Sequence, residues 1–71
     1  MELEYVMKAI KYFEDYFKIS VSQEDVNALN DKVLEYLLLD LNEVNGFVLG
    51  YLTGKGYITY SDAEKVRKES E

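Results

Sequence analysis

The first apolar stripe of the chain lies within residues 2–18. Its members alternate between spacings of three and four residues, which keeps them on one side of an α-helix: Leu3, Val6, Ile10, Phe13 and Phe17. Charged residues such as Lys8, Lys11 and Asp15 fall on the opposite side. This pattern predicts an amphipathic helix over residues 2–18.

A second helix is predicted to begin at Ser22. Serine is a favoured N-cap residue, and Glu24 and Asp25 then occupy the first turn, where the helix dipole favours acids. The apolar period continues through Val26, Leu29, Val33, Tyr36 and Leu37. Beyond them the apolar positions spread around the helix axis, at Leu38, Leu39 and Leu41. We therefore expect this end of the helix to be buried on several sides.

The third segment, residues 42–56, supports two interpretations. Its apolar residues fit the helical period, at Val44, Phe47, Val48, Tyr51 and Leu52. In that case Asn42 caps the helix and the glycines of residues 54–56 end it. The alternative is a β-hairpin at residues 47–60, because this stretch is rich in strand-forming residues and residues 53–56 suit its loop.

The end of the chain predicts an extended piece and then a short helix. Residues 57–60 read as extended, and Ser61 with Glu64 has the spacing of a capping box. The helix that follows carries Ala63, Val66 and Arg67. Residues 68–71 are expected to fray.

These segments predict an all-α fold, with one domain over residues 1–71: a compact bundle of three main helices plus a short C-terminal helix. The alternative is α+β, with the hairpin at 47–60. A core in a chain of 71 residues supplies only about 3–5 kcal/mol. The sequence contains neither cysteine nor histidine, and so lacks the commonest metal ligand and the usual general base. We predict no enzyme, no metal and no cofactor.

Charge and hydropathy narrow the choice of partners. The start of the chain, residues 1–4, is acidic rather than basic as a secretory signal would be, and the longest apolar run is only residues 37–39. A cytoplasmic protein without a membrane partner is expected. The net charge is −6, with nine acids against four lysines (−5) in residues 1–40. A nucleic acid would be repelled, so this acidity either maintains solubility or presents an acidic surface to a basic partner.

A second stripe on the first helix consists of tyrosines. Tyr5, Tyr12 and Tyr16 recur with Ala9 at helical spacing, about 110° around the axis from the first stripe. Tyrosine is enriched at protein interfaces because its ring buries area while its hydroxyl tolerates water. Either the other helices of the chain cover both stripes, or the tyrosines bind a protein partner. A homodimer is the partner expected first.

Three glycines recur every four residues, at Gly46, Gly50 and Gly54. A glycine inside a soluble helix costs about 1 kcal/mol relative to alanine, so the close approach of another helix is the expected compensation. Gly46 and Gly50 are therefore candidate partner-binding residues. In the other two interpretations, the glycines either form the turns of the hairpin or allow a ligand to approach the backbone closely.

Two further patterns are weaker candidates for a site. Asp31 and Glu35 share a helix face and could together bind a hard cation, but a solvated acidic face is the better interpretation. Residues 50–56 approach a phosphate-binding loop, yet the glycine spacing is one residue short and Gly56 stands where Ser or Thr is needed. We expect neither a metal nor a phosphate site.

Residues 52–65 are similar to two kinds of small domain. The order of Leu52, Gly56, Tyr57 and Ile58 resembles helical hairpins of the short C-terminal oligomerisation domains called SHOCT and of small phage proteins. It also resembles the recognition helix and wing entry of winged-helix regulators, although residues 42–54 contain no lysine or arginine. The expected function is a small acidic adaptor or inhibitor that acts by protein–protein interaction and is encoded by a phage or mobile element. A winged-helix-like nucleic-acid-binding regulator is the alternative.

Overall fold

A computed structural model describes residues 3–38 and 40–70, with the side chain of Ser70 excepted. The described residues form four helices: α1 (Glu4–Phe17), α2 (Gln23–Tyr36), α3 (Leu41–Lys55) and α4 (Tyr60–Ser70). This confirms the all-α bundle. The hairpin alternative is wrong, because α3 continues to Lys55 and the described part of the chain contains no strand. None of its helices is long and apolar enough to cross a membrane.

One core joins the four helices. The first apolar stripe points into it as predicted, with Val6, Ile10 and Phe13 buried and the two end members partly buried. α1 packs most extensively on α3, and α2 and α4 also pack against α3. The buried apolar residues are Val6, Ala9, Ile10, Phe13, Val26, Leu29, Val33, Val44, Val48, Leu49, Leu52, Ile58, Ala63 and Val66.

Helices α1, α2 and α3 each end at a residue in the left-handed conformation. These residues are Lys18 (φ 58°), Leu37 (φ 55°) and Gly56 (φ 86°). At the end of α2 the Leu37 N–H donates to the Leu34 carbonyl and the Leu38 N–H to the Val33 carbonyl, which is the Schellman arrangement.

The end of α2 is not buried on several sides, contrary to the prediction. The helix stops at Tyr36, and the chain turns at Leu37, whose side chain is 72% exposed. Leu41 is also exposed, Leu38 is only partly buried, and Leu39 lies outside the described residues. The dispersed apolar pattern reflects a change of direction in the chain rather than a buried helix.

The helix caps agree with the prediction for α2 and differ for α3 and α4. The Ser22 hydroxyl accepts a hydrogen bond from the Asp25 N–H, as predicted. In α3 the cap is Asp40, whose carboxylate accepts from the Asn42 N–H, so Asn42 is not the cap. Before α4, the Thr59 N–H donates to Asp62 and the Asp62 N–H donates to the Thr59 hydroxyl, each at 3.1 Å.

The capping box of α4 therefore lies two residues earlier than the Ser61 and Glu64 predicted. Only residues 57–59 remain outside a helix there, since Tyr60 already belongs to α4. Residues 68–70 of the tail, which is expected to fray, belong to α4, which continues to Ser70. At the other end of the chain, Glu2 of the predicted first helix and Glu71 of the tail lie outside the described residues.

A buried asparagine fastens the start of α1 to α2. Asn30 is 4% exposed and accepts a hydrogen bond from the Leu3 N–H at 2.8 Å, while its own amide donates to the Val26 carbonyl. The N-cap residue Leu3 has no side-chain cap of its own. Asn30 therefore supplies from another helix a hydrogen bond that the local sequence does not provide.

Candidate protein-binding surface

The tyrosines of the second stripe are exposed rather than covered by the other helices. Tyr5 is 44% exposed, Tyr12 is 55% and Tyr16 is 40%. The rings of Tyr12 and Tyr16 stack with their centroids 6.0 Å apart. Of the two interpretations of this stripe, coverage by the chain's own helices therefore holds for Ala9, which is 2% exposed, and is wrong for the three tyrosines.

Tyr16 also has an intramolecular role. Its hydroxyl donates a hydrogen bond of 2.8 Å to the Glu69 carboxylate, which connects α1 to the last turns of α4. This hydrogen bond raises the pKa of the Tyr16 hydroxyl. Tyr16 is the member of the stripe that α4 holds in place.

The first groove of the surface, which we name the tyrosine groove, lies between α1, α3 and α4. It has a volume of about 710 Å³, and its lining includes Tyr12 and Gly46, one candidate from each predicted set. Its charged lining residues are Lys8 and Arg67. The complete lining is Lys8, Ala9, Tyr12, Phe13, Leu41, Asn42, Asn45, Gly46, Leu49, Val66 and Arg67.

The glycine strip does not mediate a crossing within the chain. Gly46, Gly50 and Gly54 are all exposed, and no neighbouring atom lies within 4 Å of where a Cβ would stand on any of them. The expected close approach of another helix of this chain is therefore wrong. Gly46 lines the tyrosine groove, whereas Gly50 lines neither of the two grooves.

The second groove, which we name the leucine groove, lies between the start of α1, the end of α2 and the first turn of α3. Its volume is about 250 Å³. It is lined by Leu3, Glu4, Tyr5, Val33, Leu34, Leu37, Leu38 and Val44. Of the predicted stripe, Tyr5 lines this groove and Tyr12 lines the tyrosine groove, whereas Tyr16 lines neither.

Sequence reasoning missed Leu34 as a surface residue and mistook Leu37 for a buried one. Leu34 is 53% exposed and Leu37 is 72% exposed. For Leu34 a signal exists, because it lies at the edge of the stripe that Val26, Leu29 and Val33 define. For Leu37 there is no local signal, since its exposure follows from the turn that the chain makes there.

A polar cluster missed by sequence reasoning holds the end of α3 against the start of α2. The Asp25 side chain, 14% exposed, accepts hydrogen bonds from the hydroxyls of Tyr51 (2.7 Å), Tyr57 and Ser22, and Lys55 lies 3.7 Å away. The bonds from Tyr57 and Tyr51 lower the pKa of Asp25 to about 2, and burial raises the pKa of Tyr51 to about 12. None of the buried polar side-chain atoms among the described residues lacks a hydrogen-bond partner. We therefore interpret this cluster as a structural contact that holds α3 against α2.

The weaker chemical candidates do not form a site. Glu35 pairs with Lys32 at 3.3 Å, and no group of three potential metal ligands occurs within residues 3–38 and 40–70. Residues 50–55, the phosphate-loop candidate, are helical, and Lys55 is directed to Asp25. Comparisons with protein-family models, with curated proteins and with solved structures found no match.

Proposed function

We propose that this chain is a small adaptor or inhibitor that acts by binding another protein through the leucine groove and the tyrosine groove. The observation that carries the proposal is the exposure of large apolar side chains along the two grooves, at Tyr5, Tyr12, Leu34, Leu37 and Leu41. Contiguous exposed apolar area on a small domain is typical of a binding surface. The acidity of the rest of the surface keeps such a chain in solution until the partner covers the grooves.

Self-association is the second contact that we propose, through the tyrosine groove. Both charged residues that line this groove are basic, Lys8 and Arg67, on a chain with a net charge of −6. Each already pairs with an acid of its own helix, Lys8 with Glu4 and Arg67 with Glu64, so the support for this contact is the exposed ring of Tyr12. The homodimer expected from the sequence, with Tyr5, Tyr12 and Tyr16 in or beside its contact, stays a prediction; of these, Tyr12 lines the tyrosine groove, together with Gly46 of the alternative contact.

The nucleic-acid alternative receives no support from the surface. Neither strand nor wing is present among the described residues, and α3 carries a single basic residue, Lys55. That lysine pairs with Asp25. A cytoplasmic location agrees with the proposal and rests on the sequence arguments alone.

Affinity capture from native host cells tests the proposal. We expect the wild-type chain to retain a host protein that the double variant Tyr5→Ser/Leu34→Ser releases, because that variant removes two exposed apolar side chains of the leucine groove. Tyr60→Ser is the matched control, since Tyr60 is 69% exposed and lines neither groove. Retention of every captured protein by the double variant, or of none by the wild type, would contradict the proposal.

A further inference from the structure

Leu37 occupies a position that neither the backbone nor the core explains. Left-handed backbone is unfavourable for a residue with a side chain; α3 places Gly56 at this position, whereas α1 places the polar Lys18 there. Leu37 has φ 55° and a side chain that is 72% exposed. Folding therefore gains little from leucine at this point, and a partner that covers the side chain would account for it.

The leucine groove suits a protein segment better than a small molecule. Its volume of about 250 Å³ lies below the roughly 300–1,000 Å³ of ligand pockets. Its lining is apolar apart from Glu4, and Leu34 and Leu37 stand one turn apart at its edge. An amphipathic helix, with apolar side chains at the same one-turn spacing, has the shape that fits such a groove.

One acid, Glu4, lines the leucine groove. Two further exposed acids lie close along the chain to lining residues: Asp31, one helical turn before Leu34, and Asp40, two residues after Leu38. We refer to these three acids as the acidic edge. Glu4 pairs with Lys8 at 3.1 Å, whereas Asp31 and Asp40 have no ion pair among the residues that the structure describes. Basic side chains flanking an apolar face would meet this edge with opposite charge.

We propose that the leucine groove receives the apolar face of a basic amphipathic helix from another protein. The inference rests on the proposed function and names the chemistry of its partner. A second copy of this chain is a poor occupant of this groove, because it would bring its own charge of −6 to the acidic edge.

Two labelled helical peptides of about eighteen residues, five turns long, test this inference. One carries leucine on one face and lysine on the other, and the second has glutamate in place of every lysine. By fluorescence anisotropy at low salt, we expect the lysine peptide to bind at least about tenfold more tightly, as three exposed charge pairs predict. Added salt should reduce this difference, because it screens exposed charges.

Variants of the chain locate the binding. Leu37→Gly should weaken binding of the lysine peptide about tenfold, since burial of one leucine is lost. Leu34→Ser should weaken it similarly, and Tyr60→Ser, outside both grooves, should leave it unchanged. Both groove substitutions are at exposed positions, so far-UV circular dichroism should show the wild-type helix content in each.

Three results would overturn the inference. The first is equal binding of the lysine and glutamate peptides, and the second is unchanged binding by Leu37→Gly. The third is a wild-type mass above 8.3 kDa in sedimentation equilibrium that Leu37→Gly restores to 8.3 kDa, which would place a second copy in the groove. If the lysine peptide does not bind preferentially but capture of a host protein still depends on Tyr5 and Leu34, the proposed protein-binding function stands. In that case only the basic amphipathic helix is wrong as the partner.

Discussion

Leu52→Ala is expected to leave much of the protein unfolded at room temperature. Leu52 has no exposed surface and belongs to α3, against which the other three helices pack. Truncation of a fully buried leucine costs about 2–5 kcal/mol, because the cavity that it leaves collapses only partly. A domain of this size holds only about 3–5 kcal/mol in total, so one such change consumes most of its stability.

Leu34→Ala is the matched control for this experiment. It makes the same chemical change on α2, at a leucine that is 53% exposed, where a substitution changes stability by about 0.5 kcal/mol or less. Urea titration followed by far-UV circular dichroism measures both variants. A midpoint for Leu52→Ala close to that of Leu34→Ala would show that the core is not centred on α3.

The second large effect concerns Asp25 and pH. The folded pKa of Asp25, about 2, lies below its ordinary value of 3.8 because Tyr57 and Tyr51 donate to the carboxylate. A carboxyl whose pKa is lowered by folding stabilises the folded state fully at pH values above its ordinary pKa. This contribution to stability is lost as the pH falls towards the folded pKa of about 2. The melting temperature of Asp25→Asn should therefore lie well below that of the wild type at neutral pH. The difference between the two melting temperatures should become smaller between about pH 4 and pH 2.

Asp31→Asn provides the control for the pH experiment. Asp31 is exposed and forms no ion pair within the described residues, so its replacement should leave the melting temperature unchanged at both ends of the range. The measurement is thermal melting of the three proteins at a series of pH values. A constant gap between wild type and Asp25→Asn across the range would show that the charge of Asp25 contributes nothing.

The helices and their buried faces could be predicted from sequence because both depend on local spacing. Val6, Ile10 and Phe13 recur at the helical period, and the structure buries all three. The start of α4 was harder to predict, because two residue pairs have the spacing of a capping box: Thr59 with Asp62, and Ser61 with Glu64. Only the three-dimensional structure, in which Ile58 is buried immediately before the cap, shows which pair is used.

The long-range contacts of polar residues could not be predicted from local spacing. Asn30 meets Leu3 across 27 residues, and Asp25 meets Tyr51 and Tyr57 across 26 and 32 residues. The tyrosine stripe was visible in the sequence, but the placement of Tyr5 and Tyr12 in separate grooves, with Tyr16 in neither, depends on where α4 and the turn at Leu37 lie. The candidate surface was thus partly predictable: its tyrosines followed from periodicity, whereas the exposure of Leu37 followed from the path of the chain.

The most direct test of whether Leu37 binds a partner protein combines two measurements on Leu37→Gly. These are its melting temperature and its loss of peptide binding. Relief of left-handed strain gains about 1–2 kcal/mol and ordering a glycine costs about 0.5–1 kcal/mol, which leaves a net gain of up to about 1.5 kcal/mol. The melting temperature should then rise, by at most about 12 °C. Lys18→Gly, at the equivalent position of α1, should gain as much stability and keep its binding. A Leu37→Gly variant that melts below the wild type would show that this leucine serves the fold, and would contradict the account.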